Sequence, residues 1–281
     1  MYSWRTAKRI IEIDAPIVMG ILNLTPDSFS DGGSYGSVEA ALYRVEEMIS
    51  EGASIIDIGG ESTRPGSKRI TVEEEIARVV PVVRALAKRF DIPLSVDTSK
   101  AAVAQVAFDA GAEIINDISG LRWDPGLAEL AARTGSGLVL MHSLGEFETL
   151  HSQPPVEDVV VEVMNGLRCS VKQALERGVS PDQLAMDIGI GFGKSPEQNL
   201  ELIAKIDRLV NNFDGYPLLI GASRKSFIGK LLSENDPKKR VVGSIAVATI
   251  AAMNGAMILR VHDVKQTIDA LKVVNAVKTF L

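Results

Sequence analysis

The sequence has a single cysteine, Cys169, so no internal disulfide can form. The chain therefore reads as a protein of a reducing compartment, and the lone thiol as a small packed residue. Long hydrophobic runs are missing too, and none reaches the roughly twenty residues that a bilayer-spanning helix requires. Arg5, Lys8 and Arg9 stand near the start, but no apolar segment of the signal-peptide kind follows them. Aromatic residues are only 5% of the chain, and positive charge is in deficit, with a net charge of −6. No basic stripe interleaved with aromatics offsets that deficit, which argues against a nucleic-acid partner. The densest basic cluster, Lys238-Lys239-Arg240, reads as a solvated helix start. No low-complexity linker marks a second domain. The expectation is a soluble, cytoplasmic protein without a membrane partner, one domain over residues 1–281, with 46% apolar residues to build a large core.

What is present is a repeat. Eight apolar runs, evenly spaced, each end in a polar or charged residue. The run at 17–22 ends at Asn23, 54–56 at Asp57, 93–96 at Asp97, 114–115 at Asn116 and 138–141 at His142. The run at 184–186 ends at Asp187, 218–220 leads to Ser223 and Lys225, and 257–259 leads to Arg260 and His262. Between them the apolar spacing predicts helices over 38–50, 72–90, 101–110, 126–134, 156–176, 197–211, 240–253 and 264–280. Strand–helix units repeated eight times, with polar groups at the strand ends, predict an α/β protein of the (β/α)8 TIM-barrel class. Ile10, Ile11 and Ile13 alternate with Glu12 and Asp14, which predicts a short N-terminal hairpin closing the barrel bottom. Ser37 and Thr71, with Glu39 and Glu74 just inside, read as helix caps. The long loops follow the strands and the short ones follow the helices, so chemistry belongs on the strand-end face.

Loop one runs Asn23-Leu24-Thr25-Pro26-Asp27-Ser28-Phe29-Ser30-Asp31-Gly32-Gly33, and loop two runs Gly59-Gly60-Glu61-Ser62-Thr63-Arg64-Pro65-Gly66. Both mix hydroxyls, acids and turn residues directly after a buried strand, as mobile lids do. With the preceding Met19-Gly20-Ile21-Leu22 and Asp57-Ile58, they resemble the two signature segments of the dihydropteroate synthase family. Ser95-Val96-Asp97-Thr98, Ile115-Asn116-Asp117, Gly191-Phe192-Gly193-Lys194, Ser223-Arg224-Lys225-Ser226 and Arg260-Val261-His262-Asp263-Val264 are similar to its remaining blocks, colinear over nearly the whole chain.

The resemblance implies condensation of para-aminobenzoate with 6-hydroxymethyl-7,8-dihydropterin pyrophosphate, with Mg2+, to give 7,8-dihydropteroate and pyrophosphate. A pterin presents a ring N–H and an amino group side by side, and one carboxylate can accept both. Asp187 is expected in that role. The resemblance puts Asp97 and Asn116 on the other ring nitrogens and the amino group. Lys225 is expected on the carbonyl, and Ile118, Met141 and Phe192 along the ring faces. Arg260 and His262, just before a helix start at Val264, suit an anion. The family comparison adds Arg64 as a phosphate contact and Asn23 as a metal or phosphate contact. Asp31 suits the cationic methylene or the metal. Phe29, Thr63, Pro65, Phe192 and Ser226 are implied around para-aminobenzoate, where sulfonamides would compete. Both glycine-rich loops are expected to order only once metal and phosphates are bound.

Two departures stand out. The family commonly reads Asp-Pro-Gly where this chain has Asp187-Ile188-Gly189, which frees the turn. The fifth loop reads Ser143-Leu144-Gly145-Glu146-Phe147 in place of the usual Met and Gly-x-Pro turn. His142 and His151 read as structural or loop residues. Family members are usually homodimers through the last helices; Ala246, Ala248, Ala251 and Ala252 suit such packing, but equally a face buried within one subunit. Three rival readings remain. A corrinoid-dependent methyltransferase would share Asp97, Asn116 and Asp187 but leave the two loops unexplained. A Schiff-base aldolase would use Lys225, and a non-enzymatic binder would need no chemistry.

Overall fold

The computed structural model describes residues 1–25 and 34–280, with 34–37 by backbone alone. Strands β1 (Tyr2–Arg5) and β2 (Ile10–Ile13) form a separate antiparallel pair. Eight parallel strands then close on themselves: β3 (Ile17–Asn23), β4 (Ile55–Gly59), β5 (Leu94–Asp97), β6 (Ile114–Asp117), β7 (Gly137–Met141), β8 (Leu184–Asp187), β9 (Leu218–Ile220) and β10 (Ile258–Val261). The last strand pairs with the first, Ile258 opposite Ile17 and Val261 opposite Gly20. The expected TIM barrel and its N-terminal hairpin are both present.

Side chains alternate along each strand, so two sets of residues face opposite ways. One set, including Val18, Ile56, Ile58, Val96, Ile115, Leu138, Leu140 and Met186, packs outward against the helices. The other set fills the barrel. Its lower layer is Met19, Ile55, Ile114, Val139, Ala185, Leu219 and Ile258, joined by Trp4 and Ile13 of the hairpin. Trp4 is fully buried, and its indole Nε1 donates to the Gln183 carbonyl at 2.8 Å. The hairpin thus plugs one end of the barrel. Two residues further along the same strands, on the same inward face, stand Asp57, Asn116, Met141, Asp187 and Arg260. Asp97 stands likewise above the buried Ser95 of β5. Strand periodicity alone stacks a polar layer on an apolar one.

The helices surround this core: α1 (Ser34–Glu51), α2 (Val72–Arg89), α3 (Ala101–Ala110), α4 (Gly126–Thr134), α5 (Val159–Glu176), α6 (Pro196–Ala204), α7 (Ile206–Asn212), α8 (Ser226–Leu232), α9 (Val241–Met253) and α10 (Val264–Lys278). Thr71 caps α2 in a full capping box with Glu74, as expected. Ser37 does not cap α1, which begins earlier, at Ser34. The helix expected over 197–211 is two, broken at Lys205 (φ −112°, ψ 24°), and Ile203 and Ile206 are both buried across the break. Helix α8 was not anticipated, because seven residues carry too little periodicity to register. Arg240 is less solvated than expected, since its guanidinium donates to the carbonyls of Arg224, Glu234 and Asn235. No helix among the described residues is long and apolar enough to cross a membrane.

Candidate active site

Arg260 occupies the centre of the polar layer. Its Nε donates to Asp57 Oδ2 at 2.5 Å and its Nη2 to Asp97 Oδ2 at 2.6 Å. Asn116 Nδ2 donates to the same Asp57 oxygen at 3.0 Å. Strands β4, β5, β6 and β10 therefore meet through side chains at their ends. Burial pushes the Asp97 carboxyl up to about 7; Arg260 pulls it down, while Asp57, Glu75 and Asp117 push it up. Burial alone would lower the Arg260 pKa, but Asp57 and Asp97 outweigh it and hold the guanidinium above its ordinary range. Arg260, expected at the phosphates, is thus tied into the barrel through two carboxylates.

Asp187 forms the second focus. Burial raises its pKa, opposed by Lys225, the Gly189 N–H, Arg260 and Lys194. Its Oδ1 accepts the Gly189 amide at 2.7 Å. Gly189 has φ +65°, and a Cβ there would lie 1.7 Å from the His142 carbonyl oxygen, so no other residue fits. Lys194 Nζ donates to Gly189 O at 2.8 Å, Phe192 O at 3.1 Å and His142 O at 3.2 Å. The turn does not loosen without proline: glycine, these hydrogen bonds and the fully buried Ile188 hold it.

Lys225 reaches the same place from the β9 end. It donates to the Ile190 carbonyl, and its Nζ lies 4.3 Å from the centre of the Phe192 ring. Gly191 (φ +83°) leaves the passage open, since a Cβ there would be 2.9 Å from Lys225 Cδ. Burial lowers both Lys225 and Lys194 to about 7; Asp187 pulls each back up, Arg260 lowers Lys225 further and Lys225 lowers Lys194. Ile118 and Met141 are buried, and Met141 stands opposite Asp187 in the β7–β8 register.

The rim holds the remaining expected residues. Asn23 ends β3, and a Cβ built on Gly59 would lie 3.7 Å from its Oδ1 and 3.6 Å from Asp97 Oδ2, which sets the two side by side. His262 Nδ1 lies 3.1 Å from Ser223 Oγ, and the His262 amide donates to the same oxygen at 3.2 Å. Burial, with Arg224, Arg260 and Arg64, lowers the His262 pKa to about 3 against a weaker pull from Asp263, so the ring is neutral. Arg64 and Pro65 are exposed on loop two, Thr63 is half-buried there, and Ser226 is exposed at the start of α8. Phe29 and Asp31 lie outside the described residues. Among the described residues no cluster of three His, Cys, Asp or Glu could hold a metal.

Ion pairs hold the base of loop two. Lys100 Nζ, nearly buried, pairs with Glu61 at 2.8 Å and with Glu75 at 2.6 Å. Glu61 also accepts the Ile70 amide at 2.7 Å, and Arg78 donates to Gly60 O at 2.9 Å. Glu61 thus joins the start of the loop to its end at Ile70, while Arg64 and Pro65 at its tip stay exposed.

The sequence pattern assigns no role to Asp57, Lys194 or Lys100. The signal for Asp57 was an acid inside the run Ile55-Ile56-Asp57-Ile58, where a buried charge demands a partner. A cleft of about 420 Å³ at the opposite end, lined by Lys8, Arg9, Phe90 and Glu113 among others, touches the starts of β5 and β6, not the strand ends.

A closed parallel barrel with carboxylates, lysines and an arginine converging at its strand ends defines a small-molecule enzyme of the TIM-barrel class. The profile of the family described as pterin binding enzyme matches residues 19–262. The chain is 47% identical over 266 residues to the dihydropteroate synthase of Escherichia coli K12, covering 95% of this chain and 93% of that one. It superposes on Xanthomonas albilineans dihydropteroate synthase, solved with 4-aminobenzoic acid, with a TM-score of 0.91, 46% identity and 98% of each chain covered. Burkholderia cenocepacia dihydropteroate synthase, complexed with 7,8-dihydropteroate, gives a TM-score of 0.88 at 41% identity, covering 99% of this chain and 97% of that one. The chain belongs to the pterin-binding enzymes and, within them, to the dihydropteroate synthases, which are transferases.

Proposed function

We propose the following division of labour for the condensation of 6-hydroxymethyl-7,8-dihydropterin pyrophosphate with para-aminobenzoate. Asp187 accepts the pterin's adjacent ring N–H and amino group, as only an anionic acceptor does well. Asp97 and Asn116 meet the remaining ring nitrogens and amino group, Lys225 the carbonyl, and Ile118, Met141 and Phe192 the ring faces. The observation that carries this reading is the polar layer itself: Asp97, Asn116 and Asp187 converge at the ends of β5, β6 and β8, with Lys225 and the Phe192 ring together at the same strand ends.

His262, Arg64 and Arg260 serve the pyrophosphate. Ser223 Oγ already accepts the His262 amide, so its own hydrogen is free for Nδ1. That leaves the Nε2–H of the neutral ring to donate to a phosphate oxygen. Thr63, Pro65, Phe192 and Ser226, with Phe29 of loop one, flank para-aminobenzoate. The arylamine nitrogen bonds to the pterin methylene carbon as the carbon–oxygen bond to pyrophosphate breaks, and the amine then loses a proton. The protein positions the partners and balances charge; no residue bonds to substrate.

Mg2+ suits this site as a substrate-borne ion. It is typically held by one or two protein oxygens plus phosphates and water, and Asn23 Oδ1 at the rim can supply one, with Asp31 nearby in sequence. Bound there, it would neutralise the leaving pyrophosphate. Pyrophosphate release should require both para-aminobenzoate and Mg2+, and His262→Ala should weaken the pyrophosphate ester more than the free hydroxymethyl pterin. Release independent of the amine, or equal losses for the two pterins, would contradict these assignments.

A homodimer through the C-terminal helices is part of this proposal. Ala248, Ala251 and Ala252 are buried within the subunit, whereas Ala246 is exposed on the outer face of α9. The outer face also exposes Val242 and Ile250 of α9 and Val273 and Val277 of α10. Exposed apolar residues on two neighbouring helices suit an association surface. Sedimentation at micromolar concentration is expected to give a dimer, and Val273→Glu a monomer. The single cysteine suits the cytoplasm as the site of reaction.

A further inference from the structure

The fifth loop, where this chain departs from its family's pattern, reaches across the rim to loop two. His151 Nε2 lies 2.7 Å from the Thr63 carbonyl oxygen. A carbonyl can only accept, so this nitrogen carries the proton and donates. The His151 ring also stands beside Phe192, with centroids 6.3 Å apart and planes inclined by 31°. A second tie lies alongside. The Arg69 guanidinium of loop two sits 5.5 Å from the Trp123 ring and 5.7 Å from the Phe147 ring, which meet edge to face at 5.9 Å. Phe147 stands where the family has a proline turn, so an aromatic clasp for Arg69 comes with the departure. Arg122 braces the same loop, donating to Ser143 Oγ at 2.8 Å and Gly145 O at 3.0 Å.

We propose that His151 is a positioning residue for the aminobenzoate side of the site, holding Thr63 by its ring N–H and Phe192 by a tilted ring contact. The inference rests on the aminobenzoate placement above. His151 touches Thr63, assigned to that substrate alone, and Phe192, which the two substrates share. None of the pterin carboxylates is among its contacts. It therefore sets how closely loop two approaches the arylamine and its sulfonamide analogues. Through the Arg69 clasp, the fifth loop as a whole keeps loop two near its working position before any ligand arrives. That arrangement shifts part of the ordering cost from ligand binding to folding.

Three variants separate the two contacts. His151→Ala removes both, His151→Gln keeps a donor for Thr63 without the ring, and His151→Phe keeps a ring without the donor. The expected result for His151→Ala is a KM for para-aminobenzoate raised about three- to tenfold, in line with loss of one net hydrogen bond. The KM for the pterin pyrophosphate and kcat should stay within about twofold, and Gln should restore more than half of the loss on a logarithmic scale. Independently of activity, amide hydrogen exchange over residues 60–70 should accelerate in His151→Ala. An unchanged aminobenzoate KM, or a parallel rise in both KM values with a fall in Tm, would overturn the proposal. So would unchanged exchange in loop two. Wild-type protein that releases no pyrophosphate but still shows the exchange difference would count against the assigned reaction and not against the clasp.

Discussion

Replacing Asp187 with Asn is expected to remove most of the affinity for the pterin pyrophosphate and leave the barrel folded. Asp187 Oδ1 accepts the Gly189 amide, and an Asn can keep that bond with its own oxygen. The remaining group is then an NH2, a donor aimed at the pterin's donors. A buried hydrogen bond is left unmade and its charge assistance is lost, about 2–4 kcal/mol together. That corresponds to roughly thirty- to several-hundredfold in Kd. Lys225 and Lys194 lose the carboxylate that holds their protons, so both pKa values fall further below about 7. Calorimetric titration of the pterin pyrophosphate reads the effect directly, with circular dichroism as the control for folding. An unchanged Kd in a folded variant removes Asp187 from the pterin site.

Arg260→Met carries the second large effect, on stability. The substitution leaves Asp57 and Asp97 buried near each other without their shared cation. Breaking a buried pair this way typically costs about 3–5 kcal/mol. The sign of its pH dependence is also set. Asp97 already titrates at about 7 in the folded protein, against 3.8 for an unperturbed carboxyl, so between those values the native state binds more protons than the unfolded one. Stability from this group is greatest below about pH 4 and declines as pH rises toward 7. Without Arg260 the folded pKa climbs higher and the decline extends to more alkaline pH. Urea unfolding at pH 5.5 and pH 8 should therefore show a wider gap between wild type and Arg260→Met at pH 8. A gap that narrows at pH 8 would mean that the guanidinium does not hold these carboxylates ionised.

The barrel was legible because each strand is a buried apolar run that stops at a polar residue, a local pattern that needs no partner to be read. Asn116, Asp187 and Arg260 stood out for that reason. Asp57 received no role because its meaning lies in Arg260, 203 positions later, and sequence spacing says nothing about such a pair. The turn after Asp187 differs from its sequence reading for a similar reason: its hydrogen bonds come from Lys194, which also binds the His142 carbonyl, and tertiary structure brings both to it. The glycines of loop two read as a lid, and nothing in its own spacing reveals that its base is anchored by Lys100 at another strand's end. Helix α8 and the break at Lys205 fall below the length at which helical periodicity can be counted.

The Trp4 plug has a consequence for the order in which the chain can assemble. Its hydrogen-bond acceptor on Gln183 is 179 residues away, and strand β3 finds its second neighbour only in β10, near the other terminus. Contacts of such sequence separation form late and slow folding, because a long loop must close before they reward it. On the ribosome, the first strand emerges long before the strand that seals it. Until Gln183 emerges the indole of Trp4 has no acceptor, and until β10 arrives one edge of β3 is unpaired, and an open strand edge invites pairing with other chains. The seam between the two termini is thus the point at which a nascent chain is most exposed to misassembly.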